Sequence, residues 1–306
     1  MASDVILRSY GDAARIQDVL PLIEILTARE NWFLTNLQKT TARDTVHGVL
    51  TDTLRTAASL AVEEAADYTY SANSTPTRRN NIVENIALPF KVSRTQTLIQ
   101  HFQSENELAR QTTKALTDWG NAAEFDILRS TLASGVSGTA PTMSGVLEAI
   151  SKSTNVTAQT SGTQFSASIL KGLLKLNWDN SNGQVVTDLF VGSSLKRDID
   201  TFTAGATKFV MSKEAAVWDY VDVYDGGGFG RVGVHMHRYL NISGTDATGR
   251  VLGLRTEKLA LAYLEMPHID AGMARTGDFE PRVVIGKLTL EVRNQDTNFL
   301  ASGYLL

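Results

Sequence analysis

Five histidines and no cysteine set the terms for any chemistry this 306-residue chain could perform. Without cysteine there is no thiolate nucleophile, no disulfide and no sulfur ligand for zinc or an iron–sulfur cluster. His235 and His237 stand two apart, so on a strand both side chains leave on the same side, as a shared metal would need. A zinc site takes three or four ligands, and the adjacent Met236 and Arg238 supply none. His47, His101 and His268 are scattered along the chain, so the pair reads as a surface or interface feature. Gly228-Phe229-Gly230-Arg231-Val232-Gly233 spells the dinucleotide-binding pattern, which works by aiming a helix N-terminus at a pyrophosphate. Residues 234–239 alternate and predict a strand in place of that helix, so these glycines read as a turn. Asp179-Asn180-Ser181-Asn182-Gly183 approaches a calcium loop. Aligned on Gly183, however, its first and twelfth positions fall on Trp178 and Leu189, which cannot ligate calcium. A helix-ending turn is the better reading. Asp219, Asp222 and Asp225 recur every third residue and cannot share one strand face. Neither a phosphate-binding P-loop nor a nucleophile elbow is present. The expectation is a protein with no catalytic residues, no cofactor site and no metal site.

Whatever the chain does must then come from shape. Hydrophobic residues make up 42% and charged residues 20%, enough to bury a real core, and the length suggests about two domains. A net charge of −4 and a pI near 5.8 argue against a general nucleic-acid binder, whose affinity comes from clustered Lys and Arg. No apolar run approaches the ~18 residues of a membrane span, and residues 1–8 lack the basic-then-apolar signal pattern. Synthesis and assembly in the cytoplasm, with no membrane partner, is expected.

The elements follow from periodicity. Residues 1–44 read as a loosely organised arm, where Pro21 interrupts an apolar pattern and polar residues dominate from 35 to 44. Residues 45–98 read as a two-stranded excursion. Val46, Leu50 and Leu54 lie on the outgoing limb, and Val83, Ile86, Leu88 and Phe90 nearly alternate on a return limb at 82–92. Between them, 67–81 is a polar tip carrying Arg78 and Arg79. A lone ribbon is marginal in water, so it must lie on something else. Residues 104–134 predict the clearest helix, with Ser104 and Glu107 in capping-box spacing. Leu108, Ala115, Leu116, Trp119, Ala123 and Ile127 form its apolar stripe, and Leu108, Leu116, Trp119 and Ile127 are the packing candidates. Gly120 inside the helix costs about 1 kcal/mol against alanine, which points to a close contact there; Gly135 is a plausible stop. The remainder predicts α/β structure. Helices fall near 143–151, 166–178 and 195–202, with a polar loop at 154–162. Strands fall at 185–191, 217–224, 231–239, 251–254, 259–264 and 281–293.

Three stretches together resemble the HK97-type major capsid proteins of tailed bacteriophages. The first is Gly48-Val49-Leu50-Thr51-Asp52-Thr53-Leu54 with Ala57-Ala58-Ser59-Leu60-Ala61-Val62-Glu63-Glu64 after it. The second is Lys91-Val92-Ser93-Arg94-Thr95-Gln96 running into Glu107-Leu108-Ala109 and on through Ala123-Glu124-Phe125-Asp126-Ile127-Leu128. The third is Arg255-Thr256-Glu257 to Tyr263-Leu264, then Arg275-Thr276-Gly277-Asp278, then Lys287-Leu288-Thr289-Leu290-Glu291-Val292-Arg293-Asn294. The resemblance covers nearly the whole chain, and it rests on the order of the pieces more than on any one of them.

It implies an α+β capsid fold in five parts. These are an N-terminal arm (1–44), an extended β-hairpin E-loop (45–98), a P-domain with a spine helix (99–140), a compact α/β A-domain (141–267) and a return to the P-domain (268–306). It also implies a subunit that self-assembles, through hexamers and pentamers, into the icosahedral head enclosing double-stranded DNA. Implied partners are further copies of the chain, a portal, a separate scaffolding protein (only about 40 residues precede the E-loop) and room for a decoration protein. The E-loop would lie over a neighbouring subunit, making Glu63, Glu64, Asp67, Arg78 and Arg79 candidate inter-subunit contacts through charge complementarity. Two alternatives stand beside this: an encapsulin-type nanocompartment of the same fold, and a soluble α/β enzyme built on 141–267. Against the enzyme stand the lack of a recognisable catalytic pairing and the two long segments that carry little core.

Overall fold

The computed structural model describes residues 31–55, 57–65, 67, 70, 73–99, 107–202, 222–242 and 246–306. In chain order the first elements are helix α1 (Trp32–Asn36), strands β1 (Gln38–Thr41), β2 (Val46–Thr51), β3 (Thr77–Ile82) and β4 (Glu84–Ser93), and helices α2 (Arg94–Leu98), α3 (Glu107–Arg129) and α4 (Val146–Ser151). Then come β5 (Val156–Thr163), α5 (Ala167–Asn180), β6 (Asp188–Val191), α6 (Ser193–Thr201), β7 (Val223–Asp225), β8 (Arg231–Met236), β9 (Gly249–Leu254), β10 (Leu259–Asp270), β11 (Phe279–Val292) and β12 (Phe299–Tyr304).

These make three sheets: β1-β10-β11-β4, β5-β12-β9-β6-β8-β7, and the two-stranded ribbon β2-β3. The long helix α3, about 35 Å from its 23 residues, lies on the four-stranded sheet. Trp119 fixes it there. Its Nε1 donates to the Ile86 carbonyl on β4 at 2.9 Å, and its ring fills the space that a side chain at Gly286 on β11 would occupy. One core joins α3, α4, α1 and this sheet through Phe33, Trp119, Ile127, Val146, Leu261 and Val284. A second lies between α5, α6 and the six-stranded sheet, around Leu174, Leu189, Leu195, Val251, Phe299 and Tyr304. Ser166 caps α5 by accepting the Ile169 N–H, and the helix ends where Asn182 and Gly183 take positive φ, so Asp179–Gly183 is a helix-ending turn. Residues after Gly230 form β8, in keeping with the strand predicted there.

The structure moves several predicted boundaries. Residues 38–41 are no loose arm: β1 pairs in parallel with β10 from Gln38↔Ala260 to Thr41↔Tyr263. The return limb at 82–92 does not belong to the ribbon, because β4 pairs with β11 over ten positions from Ser93↔Phe279 to Glu84↔Leu288. Its near-alternation came from lying in a sheet with one face on α3. Residues 259–263 leave the middle region for the four-stranded sheet. The predicted polar loop at 154–162 is the strand β5, and the missed strand β12 sits between β5 and β9. The edge strand β5 buries polar Thr157 and Gln159 only partly and exposes its other face, so it has no apolar pattern to give a signal. The last strand therefore returns to the six-stranded sheet and not to the four-stranded one that carries α3. The helix predicted to 134 stops at Arg129, and short bridges pairing Ala133 with Thr142 and Val136 with Thr139 come after it. Ser104 lies outside the described residues, as does most of the strand predicted at 217–224.

Candidate assembly surface

The described residues of the ribbon lie largely exposed on the molecule. β2 and β3 pair from Val46↔Ile82 to Thr51↔Thr77, and the described residues of 52–76 continue past the ladder with neither helix nor strand. Polar bonds tie the two limbs: Arg55 Nη2 donates to Asn73 Oδ1 at 2.8 Å and Ser74 Oγ to Asp52 Oδ1 at 3.0 Å. Side chains that ordinarily seek a core stand in water instead. Leu54 is 98% exposed, Tyr70 96% and Leu60 87%, and Leu50 and Val62 are exposed as well. One such residue is ordinary; five on one ribbon mark an interaction surface.

Glu63, Glu64 and Asp67 are all exposed on this stretch, and no Lys or Arg lies between Arg55 and Arg78. Between those two arginines the chain thus carries only acidic charge. Arg78 and Arg79 are not at the ribbon's tip. Both lie in β3, opposite Leu50 and Val49, and strand alternation sends them to opposite faces. The Arg78 guanidinium crosses Gly48, where any side chain would collide with it. Arg79 helps to line a cavity of about 380 Å³ beneath the ribbon, with His47, Val49, Leu290 and Val292. The two arginines therefore present two separate charges.

Of the helix candidates, Trp119 and Ile127 are buried at 5% and 0% exposure, and Leu108 is half-buried. Leu116 departs from the predicted stripe at 40% exposure. Its sector of α3 is covered one turn later, where a side chain on Gly120 would press on Asn31. That is the close contact Gly120 pointed to, and the described part of the covering segment begins at Asn31.

The covering segment is held by a residue that no sequence pattern singled out. Glu124, 0% exposed, accepts the backbone N–H of Phe33 at 2.8 Å and of Leu34 at 3.0 Å, capping α1 from outside the helix. Its Oε1 also meets His237 Nε2 at 3.0 Å. One carboxylate thus joins α1, α3 and the residue just past β8. The only signal was its place in the row Gly120, Glu124, Leu128, four residues apart on one helix face. His235 engages a different carboxylate, Asp188, at 3.1 Å, and packs on Trp32 with ring centroids 5.2 Å apart. Burial alone would raise the Asp188 carboxyl, but bonds from His235, Thr187 and Thr256 outweigh it and hold that group below its ordinary value. The two histidines thus contact separate carboxylates, and among the described residues no three His, Asp or Glu are grouped to hold a metal. His101 and Asp219 lie outside the described residues. Near the end of α3, burial pushes Asp126 up to about 7, helped by the negative charge of Glu84. Glu84 is itself raised by burial, against the lowering effect of its bonds from Met143 N–H and Ser130 Oγ.

A spine helix on a four-stranded sheet, a second mixed sheet and a projecting ribbon define a shell-building subunit of the HK97-type capsid class. Several solved structures share the fold over nearly their whole length. The capsid protein of a native GTA particle superposes with a TM-score of 0.68 at 13% identity, covering 97% of this chain and 98% of that one. The capsid of Myoviridae Phage XM1 gives 0.62 at 10% identity, covering 97% and 99%. The SrpI encapsulin of Synechococcus elongatus PCC 7942 gives 0.65 at 11% identity, covering 98% and 96%. No curated protein sequence matches the chain. The chain belongs to the SU10 major capsid protein family, whose model matches residues 7–304. It is a major capsid protein that assembles with itself into a shell, a structural component of the virion.

Proposed function

We propose that the ribbon laces each subunit to its neighbour in the icosahedral head of a tailed phage, with the N-terminal residues as a second strap. The carrying observation is the row of exposed apolar side chains, Leu50, Leu54, Leu60, Val62 and Tyr70, which one subunit has no means to bury. Laid on an adjacent copy they add to an obligate interface, of a kind that can exceed roughly 2,000 Å² and needs no disulfide. Glu63, Glu64 and Asp67 fix the register of that contact by charge, and Arg78 and Arg79 meet acidic groups on the two sides of the ribbon base. In this reading 46–82 is the E-loop, α3 with the four-stranded sheet is the P-domain, and the six-stranded sheet is the A-domain. Leu108, Trp119 and Ile127 hold the spine helix within the subunit, while Leu116 faces outward. The protein has no catalytic role. It is assembled in the host cytoplasm with a separate scaffold and a portal, with room for a decoration protein, and it encloses DNA without reading its sequence.

The test replaces Leu54, Leu60, Val62 and Tyr70 together with serine. Negative-stain microscopy is expected to show no closed shells, while circular dichroism shows the folded core retained; normal shells from this variant would sink the lacing role. The likeness to an encapsulin keeps a second reading open, a shell around an enzyme. Nuclease-resistant DNA in purified shells supports the phage head, and a co-purifying enzyme supports the nanocompartment.

A further inference from the structure

The ribbon meets the body through very few groups, and one of them is placed as a strut. Asn81 is the next-to-last residue of β3, with His47 of β2 as its ladder partner, so its backbone belongs to the ribbon. Its side chain belongs to the body. Nδ2 donates to the Leu290 carbonyl at 2.7 Å and to the Ser144 carbonyl at 3.1 Å. Oδ1 accepts the Ser144 N–H and the Ile82 N–H, each at 2.8 Å. Two donors and one acceptor oxygen are thus fully engaged.

The position of these bonds gives them their meaning. β4 leaves β11 after Glu84↔Leu288, and two residues further along β11 the Asn81 amide occupies the Leu290 carbonyl. A side chain thus continues the work of the ladder at the point where the chain turns out of the sheet and becomes ribbon. Beside it the ribbon base stands over the 380 Å³ cavity, whose walls include Val49 and Arg79 from the ribbon and Leu290 and Val292 from the body. Apolar packing does not fill that gap, so it cannot fix the ribbon's inclination. A second polar tie at the ribbon base is longer, His47 Nε2 to Glu291 Oε2 at 3.4 Å.

We propose that Asn81 is the positioning residue that sets the angle at which the ribbon leaves the body, and through that angle the curvature of the shell. This rests on the lacing role above. A ribbon that reaches a neighbour translates a change of inclination at its base into a change of angle between subunits. Only an amide suits the site: aspartate has no donor for the Leu290 and Ser144 carbonyls and would set a negative charge against both oxygens.

The experiment compares wild type, Asn81→Asp and Asn81→Gln, reading shell diameter by cryo-electron microscopy and folding of the unassembled subunit by thermal melting. Wild type is expected to give one diameter. Asn81→Asp is expected to broaden the distribution and add open or aberrant shells. Asn81→Gln keeps the amide but lengthens the strut, and is expected to shift the diameter while the melting temperature stays near wild type. Should Asn81→Asp fail to fold, Asn81→Gln decides alone. Shells of wild-type diameter from every variant that folds overturn the proposal, as does a loss of melting temperature and yield without a change of diameter. Normal shells from the serine variant of Leu54, Leu60, Val62 and Tyr70 would count against the lacing role instead, so the two failures are distinct.

Discussion

Replacing Glu124 with alanine tests how the N-terminal segment is held. The carboxylate is wholly buried and receives three donors, from Phe33 N, Leu34 N and His237 Nε2, at 2.8, 3.0 and 3.0 Å. Leaving a buried donor without its acceptor costs about 1–3 kcal/mol. The alanine variant leaves the Phe33 N–H and the His237 ring buried without that acceptor, so a loss of about 2–6 kcal/mol is expected from two such groups. Relaxation can recover part of this only by freeing α1. Trp32 packs edge-on against Phe190 with centroids 4.6 Å apart, so that release would shift tryptophan emission to the red. Two measurements on the unassembled subunit check this: denaturant unfolding, and hydrogen exchange at residues 32–37. The expected result is a lower midpoint with loss of protection in that segment first. Stability within about 1 kcal/mol of wild type, with those amides still protected, would refute the reasoning. Glu63→Ala, on the exposed ribbon, serves as the control and is expected to leave both readings unchanged.

Two further outcomes concern α3 and its surroundings. Asp126 titrates near 7 in the fold against an ordinary value of 3.8, so the fold disfavours its charged form. Below about pH 4 both states hold the proton and nothing is lost; the cost appears as pH rises toward 7 and is complete above it. Subunit stability should therefore fall between about pH 4 and 7, and Asp126→Asn should flatten that slope and be the more stable at pH 8. A variant with the wild-type slope in thermal melts would remove Asp126 as its source. Gly286→Val drives a side chain into the Trp119 ring and strains the Nε1 bond to Ile86. Overpacking of this kind costs about 1–3 kcal/mol, and an unchanged urea midpoint would show that the ring is not fixed there.

The sequence by itself determined the absence of cysteine chemistry, the apolar stripe of α3 through Ala115, Trp119, Ala123 and Ile127, and the strand after Gly230. Each of these is set within a few residues, by composition or by a periodicity the backbone imposes. The order of the pieces also carried the capsid resemblance. What it left open depended on partners far along the chain. Whether residues 38–41 are arm or sheet was decided by β10, more than two hundred residues away. Whether 154–163 is loop or strand was decided by β12, since a polar edge strand has no pattern of its own. Leu116 shows the same limit: its spacing fits the stripe, but burial requires a covering segment at that height. In sequence Glu124 is one residue of the long helix and Asn81 the last of a polar tip. Only the fold brings the Phe33 and Leu34 amides and His237 to the one, and Ser144 and Leu290 to the other. Satisfying buried polar groups is a property of three-dimensional proximity, and sequence spacing carries no trace of it.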